Sequence, residues 1–456
     1  MTAWSERWVP DAFIFALVAT VLVVGAGWAS ASLPAVVDAW GRGFWELIPF
    51  TLQMSLVIIT GHVLATSRPM QAAIRMVAGW PGSPRQAVVL VTLFALASSW
   101  LNWGFSLVFS AVLAREVARR VERVDYRALA AASFLGLGSI WAQGLSGSAA
   151  LQMASPGALP PPIRDLVAHD GLVPGGIVGL QHTIFLWQSM ASVAVEIVVV
   201  MVVMWLATPE SSDAHTARAL GIDLDDRREH TSAGDTAART PGAWLEHSPL
   251  LTWFVVALGA TYLVRYFSQA ADPLSAITLN VLNLSFLLVG FLLHGTPARL
   301  MRAVQGATPA VWGVILQFPF YAGIAGVITS TQLNERLAAL FVGASTPDTF
   351  PPLVAMYSAV LGVFVPSGGS KWVIEAPYVM TAAHQLHAHL GWVVSAYDLG
   401  EALANLVQPF WMLPILGLLG LRARDIMGYT FVVFLALAPV VVALVTLFGM
   451  TLRYPL

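Results

Sequence analysis

The chain has no cysteine, one lysine and little charge of either sign. Without cysteine there are no disulfides, no thiolate metal ligands and no redox compartment to infer. Only 11% of its 456 residues are charged, against about a quarter in a soluble domain, so polar groups cannot cover its surface. A net charge of −2 and the lack of a basic tract give no footprint for nucleic acid. No HExxH, no nucleophile elbow and no paired carboxylates on one helix mark an enzyme.

Apolar sequence is abundant: 57% of residues are hydrophobic and mean hydropathy is +0.73. Runs at 12–30, 44–66, 184–207, 250–267, 276–294, 311–328 and 426–448 are close to the roughly 20 residues that cross a bilayer core. The expected class is an all-α, polytopic transmembrane bundle with lipid as its surrounding partner. The first run starts after Arg7 and is too long for a signal-peptide core, so it is expected to stay uncleaved despite Ala29-Ser30-Ala31-Ser32.

A polar segment over 208–245, centred on Asp223-Leu224-Asp225-Asp226-Arg227-Arg228-Glu229, separates a first membrane half (1–207) from a second (246–456). LVIITGHVLATSRPMQAAIRM in the first half and FLLVGFLLHGTPARLMRAV in the second share a span, a Thr/Pro break and an Arg-bearing amphipathic piece. This pattern suits a repeat and equally two ordinary helix ends.

Arginine-rich loops stay cytoplasmic. Arg68, Arg75 and Arg85 precede the stretch near 87–114, and Arg115, Arg119, Arg120, Arg123 and Arg127 follow it. A re-entrant hairpin satisfies both clusters, with its tip near Ser98 to Ser106 (SSWLNWGFS), where the polar residues and the glycine are. Counting crossings through the second half gives a second hairpin near 350–380 that opens to the other side. Opposed hairpins of this kind are expected of inverted-repeat transporters.

The second tip is Pro366-Ser367-Gly368-Gly369-Ser370, followed by Lys371, the only lysine in the chain, then Trp372 and Glu375. A hairpin tip leaves helix N–H groups without partners, which attract an anion. Glycine lets backbone approach a ligand, and Pro366 ends the first arm. Lys371 and Glu375 stand at i, i+4: either they neutralise each other, or Lys371 meets a substrate carboxylate while Glu375 tunes it or carries a proton.

PSGGSKW, NWGFSLV, SGSAAL, QFPFYAG, QPFW and RDIMGY occur in order, from Trp8-Val9-Pro10-Asp11 to the last helix. With them the chain resembles the short-chain fatty acid transporter family, within the ion-transporter superfamily of dicarboxylate and related carriers. That resemblance implies a homodimer with scaffold and transport domains, an elevator mechanism, and hairpin tips that each work with a broken helix. The implied partner of the first tip is Gly144 to Ser148, and of the second Asn405 to Pro409. Substrate-site candidates are then Asn102, Trp103, Gly104, Ser106, Ser146, Gly147, Ser148, Pro366 to Trp372, Glu375, Asn405 and Gln408. Coupling-cation contacts are expected among Asn102, Ser146, Ser148, Ser367 and Asn405. Two departures stand out: Ser370 replaces the family's third glycine, and Glu375 stands where glutamine is common.

Other groups are read more plainly. Glu196 is expected to face a neighbouring helix or a subunit interface, paired with a polar group. His384, His387 and His389 have metal-like spacing with no carboxylate to complete a site, and His62 and His294 end apolar spans. Asp398 and Glu401 are expected at the start of the second broken helix. The reading is a secondary carrier of a short monocarboxylate, such as a short fatty acid or acetoacetate, across the inner membrane. Coupling is to H+ or Na+, with no cofactor and no bound metal, and Trp103, Phe105 and Trp372 would enclose the alkyl tail. A dicarboxylate carrier and an integral-membrane enzyme are the alternatives.

Overall fold

The computed structural model describes residues 12–155, 158–159, 161–168, 172–210, 212–224, 240–270, 273, 276–364 and 368–456. These residues form helices and connections, with no strand among them. Seven helices among them are long and apolar enough to cross a bilayer, which makes this a multi-pass membrane protein.

The first half opens with α1 (Ala12–Trp28) and α2 (Leu33–Gly43), the latter capped by Ser32. The span α3 (Ile48–Ala65) and the amphipathic α4 (Arg68–Val77) follow. Next, α5 (Pro84–Leu101) and α6 (Trp103–Arg120) pack together as a hairpin that turns at Asn102. Asn102 ends α5 with extended backbone (φ −159°) and caps α6, accepting from Phe105 N–H at 2.8 Å. Asp125 caps α7 (Tyr126–Leu135), which then loosens into a π turn (Gly136–Ile140) and a 3-10 turn (Trp141–Gln143). The chain resumes as α8 (Ser148–Met153), followed by α9 (Pro161–Ala168) and α10 (Trp187–Ala207).

Beyond the polar segment come α11 (Pro241–His247), α12 (Pro249–Gln269), α13 (Leu279–His294) and α14 (Pro297–Ala307). The span α15 (Trp312–Ser330) and α16 (Leu333–Ala344) lead to α17 (Phe350–Phe364) and α18 (Gly368–Gln385). Then α19 (Leu390–Ala404), a 3-10 turn at Phe410–Met412 and α20 (Leu413–Leu419) form a second broken element before α21 (Ala423–Gly449).

Packing follows one order twice. Helices α1 and α2 lie on α15, while α13 and α14 lie on α3. The spans α3 and α15 each meet the arm that leaves a tip, α6 and α18 respectively. Helix α5 packs on α7 as α17 packs on α19, and α10 meets α21. The two strings that share a span, a Thr/Pro break and an Arg-bearing piece lie on α3–α4 and α13–α14, which pack against each other. By packing partners, α3 corresponds to α15, since each meets the arm that leaves a tip. Helix α12 has no counterpart and little of it is buried.

The part of the polar segment at 212–224 is docked rather than extended. Tyr126 N–H donates to His215 O at 2.9 Å, His215 N–H to Asp125 Oδ2 at 2.9 Å, and Arg115 Nη2–H to Asp223 O at 3.5 Å.

The crossing of α2 on α15 is set by small residues. A Cβ on Gly326 would lie 2.6 Å from Ala39 O, and one on Gly43 2.8 Å from Gly326 Cα. Gly326→Leu is expected to cost roughly 1–3 kcal/mol by overpacking, read as a lower thermal midpoint in detergent. Gly25→Leu, into open space, leaves that midpoint unchanged.

Candidate functional site

Three groups of candidate residues meet near the hairpin tips. The first is the Asn102 tip against the break in α7–α8. Trp103 N–H donates to Ser146 Oγ at 2.9 Å, and Leu145 N–H to Trp100 O at 2.7 Å. Ser106 Oγ donates to Ala95 O at 2.8 Å, closing the hairpin arms. Gly104 lies against α3 beside Ile58 and Val57, and Gly147 folds onto Ala142 O. The oxygens of Asn102, Ser146 and Ser106 thus hold the tip in shape, while Asn102 Nδ2 stays buried with no acceptor.

The second group joins the two broken elements. Trp141 N–H returns to Gly136 O, five residues back, within the π turn. Such a turn disturbs the usual i→i−4 ladder, and Leu137 O accepts from Asn405 Nδ2 at 3.0 Å. Gln408 Nε2 in turn donates to Asn405 Oδ1 at 2.8 Å. The breaks of the two halves are therefore bonded to each other, a link that separate readings of each half do not predict.

The third group is ionic and lies behind the second tip. Lys371 is fully buried and gives its ammonium to Ser358 O (2.5 Å), Ser358 Oγ (2.6 Å) and Glu401 Oε2. Glu375 Oε1 is 3.7 Å from Lys371 Nζ. The stronger partner of Lys371 is thus Glu401, thirty residues on, rather than its i+4 neighbour. Tyr397 lies under the ammonium, 4.8 Å to ring centroid, and donates its hydroxyl to Gly368 O at 2.5 Å. Asp398, one turn before Glu401, accepts from Ala150 N–H in the first half. Asp398 and Glu401 are a carboxylate pair on one helix, correcting the expectation of none, and they lie toward the end of α19 rather than at the start of a helix.

Between the tips lies a cavity of about 30 Å³ lined by Met54, Trp103, Leu137, Trp141, Ser148, Val314, Phe318, Gly368, Gly369 and Trp411. Phe318 and Val314 come from α15 and Met54 from α3, so both halves build its wall. A Cβ on Gly368 would come 2.6 Å from the Trp141 ring, and one on Gly369 3.0 Å from Ser148 Cβ. A side chain at Gly368 would force the Trp141 ring to shift, and one at Gly369 would press closely on Ser148, so both glycines let the second tip rest on the first half. Trp103 packs edge-on against Trp411 (5.2 Å) and Trp141 (6.4 Å). The indole N–H groups of Trp103 and Trp141 are buried without an acceptor.

Several expected residues stand elsewhere. Trp372 is fully buried against Tyr397 (4.6 Å) and Phe105 stacks on Phe109 (5.0 Å), so neither lines the cavity. Lys371, Glu375, Asn405 and Gln408 are buried outside its lining. Pro366 and Ser367 lie outside the described residues, and Ser370 falls in the first turn of α18. Trp141 and Trp411 were not among the candidates. Trp141 was findable, because GLGSIWAQG puts it between the glycines of the break, whereas nothing local marks Trp411. Glu196 receives Gln143 Nε2–H at 3.1 Å, the polar pairing expected for it. His389 caps α19 and His384 contacts Tyr454 (2.6 Å); no group of three metal-ligating side chains converges among the described residues.

Lys371→Met would leave Glu401 buried without its counter-charge, which costs about 3–5 kcal/mol. Folded, monodisperse yield in detergent should fall sharply for Lys371→Met, with substantial recovery in Lys371→Met/Glu401→Gln.

Comparison with known proteins agrees with this architecture. The model of the family described as "Short chain fatty acid transporter" matches residues 1–448. A protein of Escherichia coli (strain K12), provisionally named a short-chain fatty acid transporter, is 39% identical over 452 residues, covering 98% of each chain. One of Haemophilus influenzae with the same provisional name is 35% identical over 442 residues, covering 96% of each. Among solved structures, the Alcanivorax borkumensis YdaH transporter has a similar fold, with TM-score 0.59 at 14% identity over 95% of this chain and 98% of that one. So does Neisseria gonorrhoeae MtrF, titled among antimetabolite efflux pumps, with TM-score 0.57 at 14% identity over 98% and 97%. With a family match over nearly the whole chain and relatives above a third identical, the protein belongs to the short-chain fatty acid transporter family, and is a transporter rather than an enzyme.

Proposed function

We propose that the protein is a secondary transporter that holds one short monocarboxylate, such as butyrate or acetoacetate, between its hairpin tips. The observation that carries this is the cavity walled by Trp103, Trp141 and Trp411, of which Trp103 and Trp141 keep indole N–H groups buried without an acceptor. Indole N–H can donate but not accept, so Trp103 and Trp141 suit an anion rather than a cation. The Ser148 hydroxyl lies on the same wall. Trp103, Trp141, Trp411, Leu137 and Phe318 offer apolar surface to an alkyl tail. No arginine or lysine lines the cavity, so a second carboxylate would find no counter-charge. This favours a monocarboxylate over the dicarboxylate alternative.

The transport cycle is read as an elevator of a homodimer in the inner membrane, with α5–α6 and α17–α18 as opposed re-entrant hairpins. Supporting this is the twice-repeated packing order, in which each tip is followed by a broken element. The α5–α6 hairpin also brings Arg85 to the same end as Arg119 and Arg120, as a segment entering and leaving by one face requires. The cavity has room for a water-sized group or two, so a four-carbon acid enters as the tips part.

Purified protein in liposomes tests the reading through counterflow, the exchange of labelled butyrate against internal unlabelled butyrate with protein-free vesicles subtracted. Exchange is expected with wild type; product formation without exchange would indicate an enzyme. Trp141→Phe removes one donor and keeps the wall, so half-saturation should rise roughly tenfold, the equivalent of one hydrogen bond of about 1.4 kcal/mol. Gly369→Ala should lower exchange while the thermal midpoint holds. Wild-type exchange in both variants would contradict the site.

A further inference from the structure

Glu375 is the ionisable group that the substrate site leaves unexplained. It is fully buried, and its Oε1 stands 3.7 Å from the Lys371 ammonium, beyond ordinary hydrogen-bond length. An ammonium has three N–H donors; those of Lys371 go to Ser358 O, Ser358 Oγ and Glu401. Glu375, at 3.7 Å, is the more distant of the two acids that share this cation.

Three acids and one lysine share this region, all within 3% of complete burial: Glu375, Asp398, Glu401 and Lys371. Glu401 is matched by Lys371, and Asp398 has the Ala150 N–H. The groups that face Glu375 are Lys371 and Tyr378 on its own helix, Glu401 and Tyr397 on α19, and Tyr357 on α17, whose hydroxyl is 3.0 Å from that of Tyr378. Helix α8 carries no ionisable residue and α15 only Tyr321. Glu335 and Arg336 on α16, and Arg164 and Asp165 on α9, are exposed. Among the described residues, no second buried cation lies on the elements packed against Glu375. A buried carboxylate that shares one cation with a closer acid costs more to hold ionised than a neutral carboxyl does.

We propose that Glu375 holds a proton in this state and is the site where the chain takes up and releases the proton that drives substrate accumulation. This rests on the transport reading of the previous subsection. The hairpin arm that bears Glu375 also bears Gly368 and Gly369, which form the cavity wall. Movement of that arm would expose the carboxyl to water and let the proton leave on one side, while the substrate site opens with it. Lys371 stays matched by Glu401 throughout, so only one group changes charge per cycle.

Two measurements test this in sodium-free medium. In infrared spectra of the purified protein near neutral pH, wild type is expected to show the carbonyl-stretch band of a protonated carboxyl. Glu375→Gln should lose that band and Glu375→Asp should shift it; a band unmoved in both overturns the proposal. In liposomes, labelled acetoacetate is used because, as a stronger acid than butyrate, it leaks less as the neutral form. Glu375→Gln mimics the protonated side chain, so it should keep counterflow but lose accumulation driven by an inward proton gradient. Equal gradient-driven accumulation in Glu375→Gln and wild type overturns the proposal with the transport reading intact. Absence of counterflow in wild type contradicts the transport reading instead, and the infrared result then decides whether Glu375 carries the proton.

Discussion

A single ammonium buried in the protein organises the second half. Lys371 stands on α18, receives oxygen from Ser358 on α17 and a carboxylate from Glu401 on α19, and so binds three helices at one point. A buried charge is tolerated only when such partners surround it. Because Tyr397 reaches from under the ammonium to Gly368 O, the same cluster fixes where the glycine tip lies. Without it, Gly368 and Gly369 would not be pressed against Trp141 and Ser148, and the cavity would have no second wall.

The first half reaches the cavity by another route. It has no charge at its tip and relies on Asn102 as a cap, Ser146 as an acceptor and close backbone contact with the α7–α8 break. Its π turn supplies Leu137 O to Asn405, so the two broken elements are joined where each lacks ordinary helical bonding. Irregular backbone at this depth must be enclosed by protein, and the Tyr126–Met153 stretch is almost wholly enclosed. Substrate chemistry would then take place in the part of the fold least able to face lipid.

What the sequence made legible follows from how local each signal is. The seven apolar runs reappear as α1, α3, α10, α12, α13, α15 and α21, because lipid-facing helices must be apolar along their length. The turn at Asn102 between α5 and α6 falls in the stretch that flanking arginine clusters, with polar residues inside apolar sequence, had pointed to. The inner helices α7, α17 and α19 were harder, since alanine, glycine and serine suffice where the neighbour is protein. Lys371 and Glu375 could be paired from their spacing, but Glu401 could not, as its approach depends on how α17, α18 and α19 pack. Of the three aromatic residues expected around the alkyl tail, Trp103 alone lines the cavity. Successive helical residues point about 100° apart, so Trp103 lines the cavity while Phe105, two positions on, turns away to Phe109.

The central claim is that a short acid sits between Gly368–Gly369 and the Trp103–Trp141 wall. A photoreactive diazirine analogue of butyric acid, activated with the protein in liposomes and followed by peptide mapping, addresses it directly. The account predicts labels on the peptides bearing Trp103, Trp141 or Gly368, and their loss when butyrate is in excess. Labels that butyrate removes only from other helices, with these three peptides unmarked, would contradict it.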